Sequence, residues 1–469
     1  MNVDFLILMK SEMSLTLIIF ILLSLKVFTD DKNHVRTLNF TNALLAINFV
    51  FGFFFNSNGE LFSGMFHTNN VIALEKNILN LGTLIVSLQA FDWLKTHKHL
   101  IEFYVLLLTT LLGMDFMISS GNFLMFFLGL ELSSIPLAAL VNMDLEKRKS
   151  SEAAMKMILS SAFASSITLF GISMLYGTTG TLNFAEMPQH LNGSELQLLS
   201  FIFIFAGFAF KLSAVPFHLW TADVYEGAPV PVTSYLSVIS KGSIVFIFIS
   251  VLFNLFRGFE GMWYNMLYLT IVVTITVGNL FAIRQNNIKR FLAFSSIAQV
   301  GYILLGLSSG TGVGATSAIY FLIVYTFSNL GAFGVIALVS AHSGKEEITD
   351  YKGFYASNPT LSWVLTISLF SLAGIPPTAG FFGKMFLVTA GAGKGNFVLV
   401  TIAVMNMVVS LYYYLRIVRS IFMDKNEMPI ARLKGSNSIK LALAICIIGI
   451  VVTGFASNLF ESINTLIGK

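Results

Sequence analysis

Apolar stretches long enough to cross a bilayer recur from one end of the chain to the other. A hydrocarbon core about 30 Å thick takes about 20 mostly apolar residues in helical form. Inside it every backbone N–H and C=O must be satisfied within the chain. The stretches therefore predict membrane-spanning helices at 13–29, 40–57, 71–91, 100–119, 121–141, 153–176, 196–217, 229–253, 262–283, 287–308, 313–340, 359–388, 395–421 and 437–458, fourteen in all. Composition agrees: 55% of the 469 residues are hydrophobic and only 11% charged, against about 25% charged in soluble domains. The expected fold class is all-α, a polytopic membrane protein. The first apolar run lacks a small-residue cleavage site, so it reads as a retained span.

Loop charges test the count. Fourteen spans put both termini on one side. The loops of the opposite side hold nineteen Lys and Arg, Lys32 among them, and the terminal side only Lys10, Arg257, Lys394 and Lys469. The positive-inside rule then places both termini outside the cytoplasm. The net charge of +4 is small and sits mostly in loops, which argues against nucleic acid as a partner.

Lys76, Lys156, Lys211, Lys241 and Lys384 remain, in or beside predicted spans. An ionisable group within a span costs a few kcal/mol or more and is a functional candidate by default. Lys211 opens KLSAVPFHLW, ahead of Pro216, and Lys384 closes LAGIPPTAGFFGK, after Pro376 and Pro377. Proline removes a backbone hydrogen bond and breaks a helix. The two breaks fall in spans 7 and 12, five apart. Because five is odd, a five-helix repeat re-enters the membrane inverted, as in transporters with broken helices at the midplane. The expected organisation is three helices within 1–99, repeats at 100–253 and 262–421, and a final helix within 437–469.

Burial disfavours the ammonium form, so Lys211 could gain and lose a proton near neutrality; alternatively it satisfies loose carbonyls at its helix break. Glu131 is the only carboxylate of span 5. Beside a buried lysine it could ionise, and separating the pair would release the lysine's proton. A fixed ion pair is the other reading. Lys241 follows in the next span. His218, seven residues after Lys211, shares its face if the broken helix stays nearly regular, and could relay protons. Lys384 is the second-half counterpart of Lys211, or a lysine snorkelling from a helix end. Ser295, Ser296 and Gln299 could support a water chain or simply pack helices. Glu102, Asp115, Glu152 and Lys156 suggest a secondary charged network, although Glu152 and Lys156 also suit a plain i,i+4 surface pair.

No Walker, Rossmann or HExxH pattern is present. GAGKG at 391–395 lacks Walker spacing and a following Ser or Thr. The single cysteine, Cys446, cannot form an iron–sulfur or Cys-rich zinc site. The chain is expected to hold no cofactor and no metal.

GLELSSIPL, EAAMK, KLSAVPFHLW, DVYEGAPVPVT, IKRFLAFSSIAQVGY and LAGIPPTAGFFGK together resemble the proton-pumping, antiporter-like subunits of respiratory complex I and their relatives in multi-subunit cation/proton antiporters. The likeness covers most of the chain and is strongest from Glu102 to Lys384. Within the family, three features narrow the type: the span count, Lys384 rather than a glutamate, and no long lateral helix after the last span. Ala222 and Met157 depart from the family pattern without touching the ionisable set.

The resemblance implies a bacterial plasma-membrane subunit that moves protons while partner chains pass electrons from NADH to quinone. Flavin, iron–sulfur clusters and quinone would lie on those partners, and the other membrane-arm subunits and the lipid bilayer would be its neighbours. It implies Glu131 and Lys211 as the coupling pair, Lys241 as the central lysine and Lys384 as the terminal one. A cation/proton antiporter subunit without a redox partner is the alternative.

Overall fold

The computed structural model describes residues 3–28 and 33–468; Lys32 and Lys469 lie outside the described residues. Helix dominates. In chain order the helices are α1 (Val3–Leu8), α2 (Lys10–Phe28), α3 (His34–Phe51), α4 (Asn70–Leu94), α5 (Leu100–Ile118), α6 (Phe123–Val141), α7 (Arg148–Thr179), α8 (Glu195–Leu212), α9 (Leu219–Gly227) and α10 (Val230–Tyr235). They continue as α11 (Lys241–Ser250), α12 (Glu260–Ile283), α13 (Ile288–Leu307), α14 (Gly312–Ser343), α15 (Phe354–Ser357), α16 (Pro359–Ala373), α17 (Ala379–Ala392), α18 (Phe397–Phe422), α19 (Asn437–Phe455) and α20 (Ser457–Ile467). A hairpin of β1 (Gly59–Leu61) and β2 (Phe66–Thr68) pairs Gly59 with Thr68.

Twelve helical segments among the described residues are long and apolar enough to cross a membrane. The two remaining expected spans fall on α3 and on the shorter apolar pair α16 and α17. The window 40–57 is shifted. α3 starts earlier because the Asn33 side chain caps it, accepting from Arg36 N at 3.3 Å. It stops at Phe51 because the next backbone is held by Lys10, whose Nζ donates to Gly52 O at 3.2 Å and to Phe54 O and Asn56 Oδ1. The window 229–253 is helical throughout, but 236–240 and 251–255 are π-helical turns on either side of α11, a feature common at functional sites.

The chain forms two compact units. The first takes the residues up to Leu84, Lys95–Leu212 and Ser240–Trp263. Its tightest seam joins α5 to α6. A Cβ added at Gly129 would lie 2.6 Å from Met117 N, and one at Gly113 would strike the Ser133 backbone. Without lipid-excluding hydrophobic force between helices, such close backbone approach supplies the packing. Phenylalanines fill the gaps between helix ends, with ring centroids 4.7 Å apart for Phe201–Phe256 and 4.9 Å for Phe208–Phe248.

The second unit takes Ile85–Leu94, Ser213–Ile239 and the residues from Tyr264 onward. α14 is its centre and packs on α13, α16, α17, α19 and α20. Both α13 and α14 are 94% enclosed by protein over their apolar windows, which suits helices that are hydrophobic all round.

Both expected breaks occur. α8 ends at Leu212 and helix resumes at Leu219, with Ser213 at φ +63° and a cis Val215–Pro216 bond between them. α16 ends at Ala373, capped by Gly374 at φ +85°, and α17 starts after the cis Pro376–Pro377 bond.

The α5–α6 seam yields a prediction. Gly113→Val should destabilise the solubilised protein by about 1–3 kcal/mol through overpacking. Gly177→Ala, where an added Cβ meets nothing within 4 Å, should not destabilise it and should add up to about 1 kcal/mol through helix propensity. Thermal unfolding of both variants checks this.

Candidate functional site

In the first unit Lys211 lies in the last turn of α8. Its Nζ donates to Ser134 Oγ of α6 at 2.5 Å and to Ser161 Oγ of α7 at 2.9 Å. Glu131 is one turn before Ser134, so it projects from the same flank of α6. Its charge acts on Lys211, yet its Oε1 is buried without a hydrogen-bond partner. Lysine and carboxylate are thus neighbours that do not touch, and two neutral hydroxyls hold the ammonium in the meantime. Lys241 opens α11 directly after a π-helical turn and is 3% exposed.

The expected secondary network is not assembled. Glu102 pairs with Lys26 at 2.7 Å on the surface of this chain. Lys156 pairs with Glu152 at 2.8 Å, also exposed, as i,i+4 geometry allows. Asp115 is fully buried and faces Lys76 and Glu12 instead. These groups sit on different helix faces, and pairing with the nearest opposite charge outweighs any shared network.

In the second unit Lys384 is fully buried on α17. Its Nζ donates to Leu372 O at 2.7 Å and Ala373 O at 3.2 Å, the last carbonyls of α16. The break at Gly374 leaves those carbonyls without intrahelical partners. The carbonyl role considered for Lys211 therefore belongs to Lys384, and Lys384 does not snorkel. Its ammonium also lies 5.0 Å from the Tyr302 ring centroid, within cation–π range.

A polar chain continues from there. Gln299 Nε2 donates to the same Leu372 O at 3.1 Å and to Tyr414 OH at 3.2 Å. Tyr414 OH meets Ser295 Oγ at 2.5 Å. Ser295, Tyr414, Gln299, the Leu372 carbonyl and Lys384 thus form one connected path through α13, α18, α16 and α17. Ser296 is buried one residue along. Sequence reasoning identified Ser295, Gln299 and Lys384 and missed Tyr302 and Tyr414. The hydroxyls of YYY at 412–414 were the available signal, but only the rotation of α18 buries Tyr413 and Tyr414, leaves Tyr412 outside, and brings Tyr414 to Gln299.

His218 needs correction. The helix does not stay regular from Lys211 to His218, because α8 ends at Leu212 and α9 begins at Leu219. Heptad spacing therefore gives the two residues no common face; His218 occupies the N-terminal cap position of α9 without a side-chain bond to it, and is buried. The motif DVYEGAPVPVT has a structural part: Asp223 and Glu226 hold Arg290 NH1 at 2.7 and 2.9 Å. Among the described residues no three His, Cys, Asp or Glu side chains gather to hold a metal ion.

The family described as NADH:quinone oxidoreductase/Mrp antiporter, TM matches residues 120–410. The chain is 47% identical over 457 residues to an NADH-quinone oxidoreductase subunit N of Phocaeicola vulgatus, with 97% of each covered. It is similar to a chain in a structure of respiratory complex I from Thermus thermophilus with bound aureothin, at 26% identity and TM-score 0.82, over 96% of this chain and 98% of that one. A chain of the Mrp complex from Dietzia shares the fold, at 20% identity and TM-score 0.84, over 97% of each. Helices, breaks, motifs and relatives agree: the chain belongs to the NADH:quinone oxidoreductase/Mrp antiporter transmembrane family.

Proposed function

We propose that this chain is the subunit-N-type component of the membrane arm of an NADH:quinone oxidoreductase. It carries protons across the plasma membrane while partner chains pass electrons from NADH to quinone. The relative from Phocaeicola vulgatus, matched over nearly the whole length, favours this over a cation/proton antiporter subunit. Flavin, iron–sulfur clusters and quinone sit on those partners, and other membrane-arm subunits flank the chain. Both termini face the outer side, and residues 100–253 and 262–421 act as inverted repeats about their broken helices.

The observation that carries the mechanism is Lys211 on Ser134 and Ser161, with Glu131 close but unbonded. At an effective dielectric of about 20, bringing two unit charges from about 8 to about 4 Å strengthens their attraction by about 2 kcal/mol. That shifts a protonation equilibrium about thirtyfold. Closing the Glu131–Lys211 pair loads the lysine, and opening it releases the proton. Redox events on partner chains drive the change along the charged axis. Lys241 takes the proton onward, with His218 at the outer edge of the first break. Ser295, Ser296, Gln299 and water lead to Lys384, the exit-side carrier. Pro216, Pro376 and Pro377 keep the helices open at both stations. Glu102 and Lys156 tune the entry field from the surface.

Two outcomes follow. In membrane vesicles with assembly checked by native gel, Lys211→Met should lower NADH:quinone turnover and NADH-driven proton uptake together, about tenfold or more. Lys211→Arg should be equally inactive, since a guanidinium keeps the charge but does not release its proton. Full activity of the arginine variant would make Lys211 a fixed charge. Tyr414→Phe, which removes the hydroxyl joining Ser295 to Gln299, should slow uptake severalfold while sparing assembly. Wild-type uptake would take the proton path away from Tyr414.

A further inference from the structure

A second group of buried charges lies in the first unit, apart from Lys211 and Lys241. Glu12 of α2, Lys76 of α4 and Asp115 of α5 are 1%, 2% and 0% exposed. Lys76 Nζ pairs with Glu12 Oε1 at 2.5 Å and lies 5.1 Å from the Phe66 ring centroid. Glu12 Oε2 and both Asp115 carboxyl oxygens are buried without hydrogen-bond partners. Lys76 and Glu12 are the charges that act on Asp115. Two further ionisable groups interact with Lys76 and join the set, Glu75 at 4% exposed and Lys10 at 8%.

Charge counting decides what such a group requires. Fully ionised, Lys10 and Lys76 supply two positive charges, and Glu12, Glu75 and Asp115 three negative ones. The remainder is one uncompensated negative charge in a dry interior, which costs several kcal/mol. Among the described residues Lys76 is the cation that acts on Asp115. Of the helices that pack on α5, α6 brings only Glu131 and α11 only Lys241, and neither is among the charges acting on Asp115. Lys26 of α2 is engaged with Glu102. On the hairpin, His67 is half exposed and faces Glu60 at 3.6 Å. One bound proton makes the group neutral.

We propose that Glu12, Lys76 and Asp115, together with Lys10 and Glu75, form a proton-binding site that holds its proton on Asp115. Glu12 keeps its charge because Lys76 donates to it directly. Asp115 has no donor at either oxygen and the deepest burial of the three carboxylates, so ionisation is least favourable there. The protonated carboxyl loses less by burial than a carboxylate would. Access is built in. A cavity lined by Lys10, Ser11, Asn56, Ser57, Thr68 and Lys76 reaches the lysine from the hairpin end of the bundle. A proton taken up from water there neutralises Asp115, and release to the same water restores the carboxylate. The site is independent of the roles assigned to Lys211, Lys241 and Lys384.

Infrared spectra of the purified whole complex at neutral pH test this directly. Wild type minus Asp115→Asn should show the carbonyl stretch of a buried protonated carboxylic acid, shifted by deuterium exchange. Glu12→Gln should lose that band as well, although Asp115 is still present. Removing one negative charge balances the group without a proton and frees Lys76 to pair with Asp115. If Asp115→Asn does not assemble, Glu12→Gln against wild type gives the same reading. A difference spectrum containing only carboxylate stretches would overturn the proposal, as would an acid band that persists in Glu12→Gln. Loss of pumping in the Lys211 variants, or its retention, moves neither band.

Discussion

A helix that ends inside a bilayer leaves carbonyls with no water to bind, and two such ends organise this protein. At the end of α16 the problem is solved covalently close by. Lys384 lies on the next helix of the same broken span and returns its ammonium to the Leu372 and Ala373 carbonyls. At the end of α8 the lysine precedes the break, and its ammonium goes to serine hydroxyls on α6 and α7. The difference matters chemically. Carbonyls only accept, so at Lys384 every bond they make is donated by the lysine nitrogen. A hydroxyl both donates and accepts, so Ser134 and Ser161 can accommodate Lys211 in either protonation state.

The same constraint explains where polar side chains are tolerated. The Tyr414 hydroxyl joins Ser295 to Gln299, and Gln299 also donates to the Leu372 carbonyl, so a fully enclosed helix such as α13 can carry an amide and hydroxyls. Chains of this kind polarise one another and specify a single helix rotation. Close backbone approach at Gly113 and Gly129 does the corresponding work between α5 and α6.

Ionisable groups divide by what compensates them. Lys26–Glu102 and Lys156–Glu152 lie on the surface of the chain and need little support. Arg290 binds Asp223 and Glu226 together. Glu131 and Asp115 are different: Glu131 has one buried carboxyl oxygen and Asp115 two without a hydrogen-bond partner, and each has a lysine within electrostatic reach. An ionisable group that is near its partner but not bonded to it is sensitive to small displacements, and that sensitivity is what a proton-coupled device needs.

Hydropathy alone determined that this chain is a bundle of membrane-spanning helices, and proline beside an intramembrane lysine located its two breaks, whereas Pro136 lies inside α6 without ending it. Both are local properties: one follows from the solvent around a segment and the other from a missing N–H. The lysines stood out for the same reason, as isolated charges in apolar runs. Which group each lysine meets was not local. Glu12 and Lys76 are 64 positions apart, and Glu12 reads in sequence as a residue at a helix start. Tyr414 is one of three adjacent tyrosines, and helix rotation buries it with Tyr413 and leaves Tyr412 outside. Glu102 and Lys156 looked like members of a network, and their helix faces separated them. Partner choice depends on how helices rotate and approach, which is set by packing over the whole bundle, so only the tertiary structure decided it.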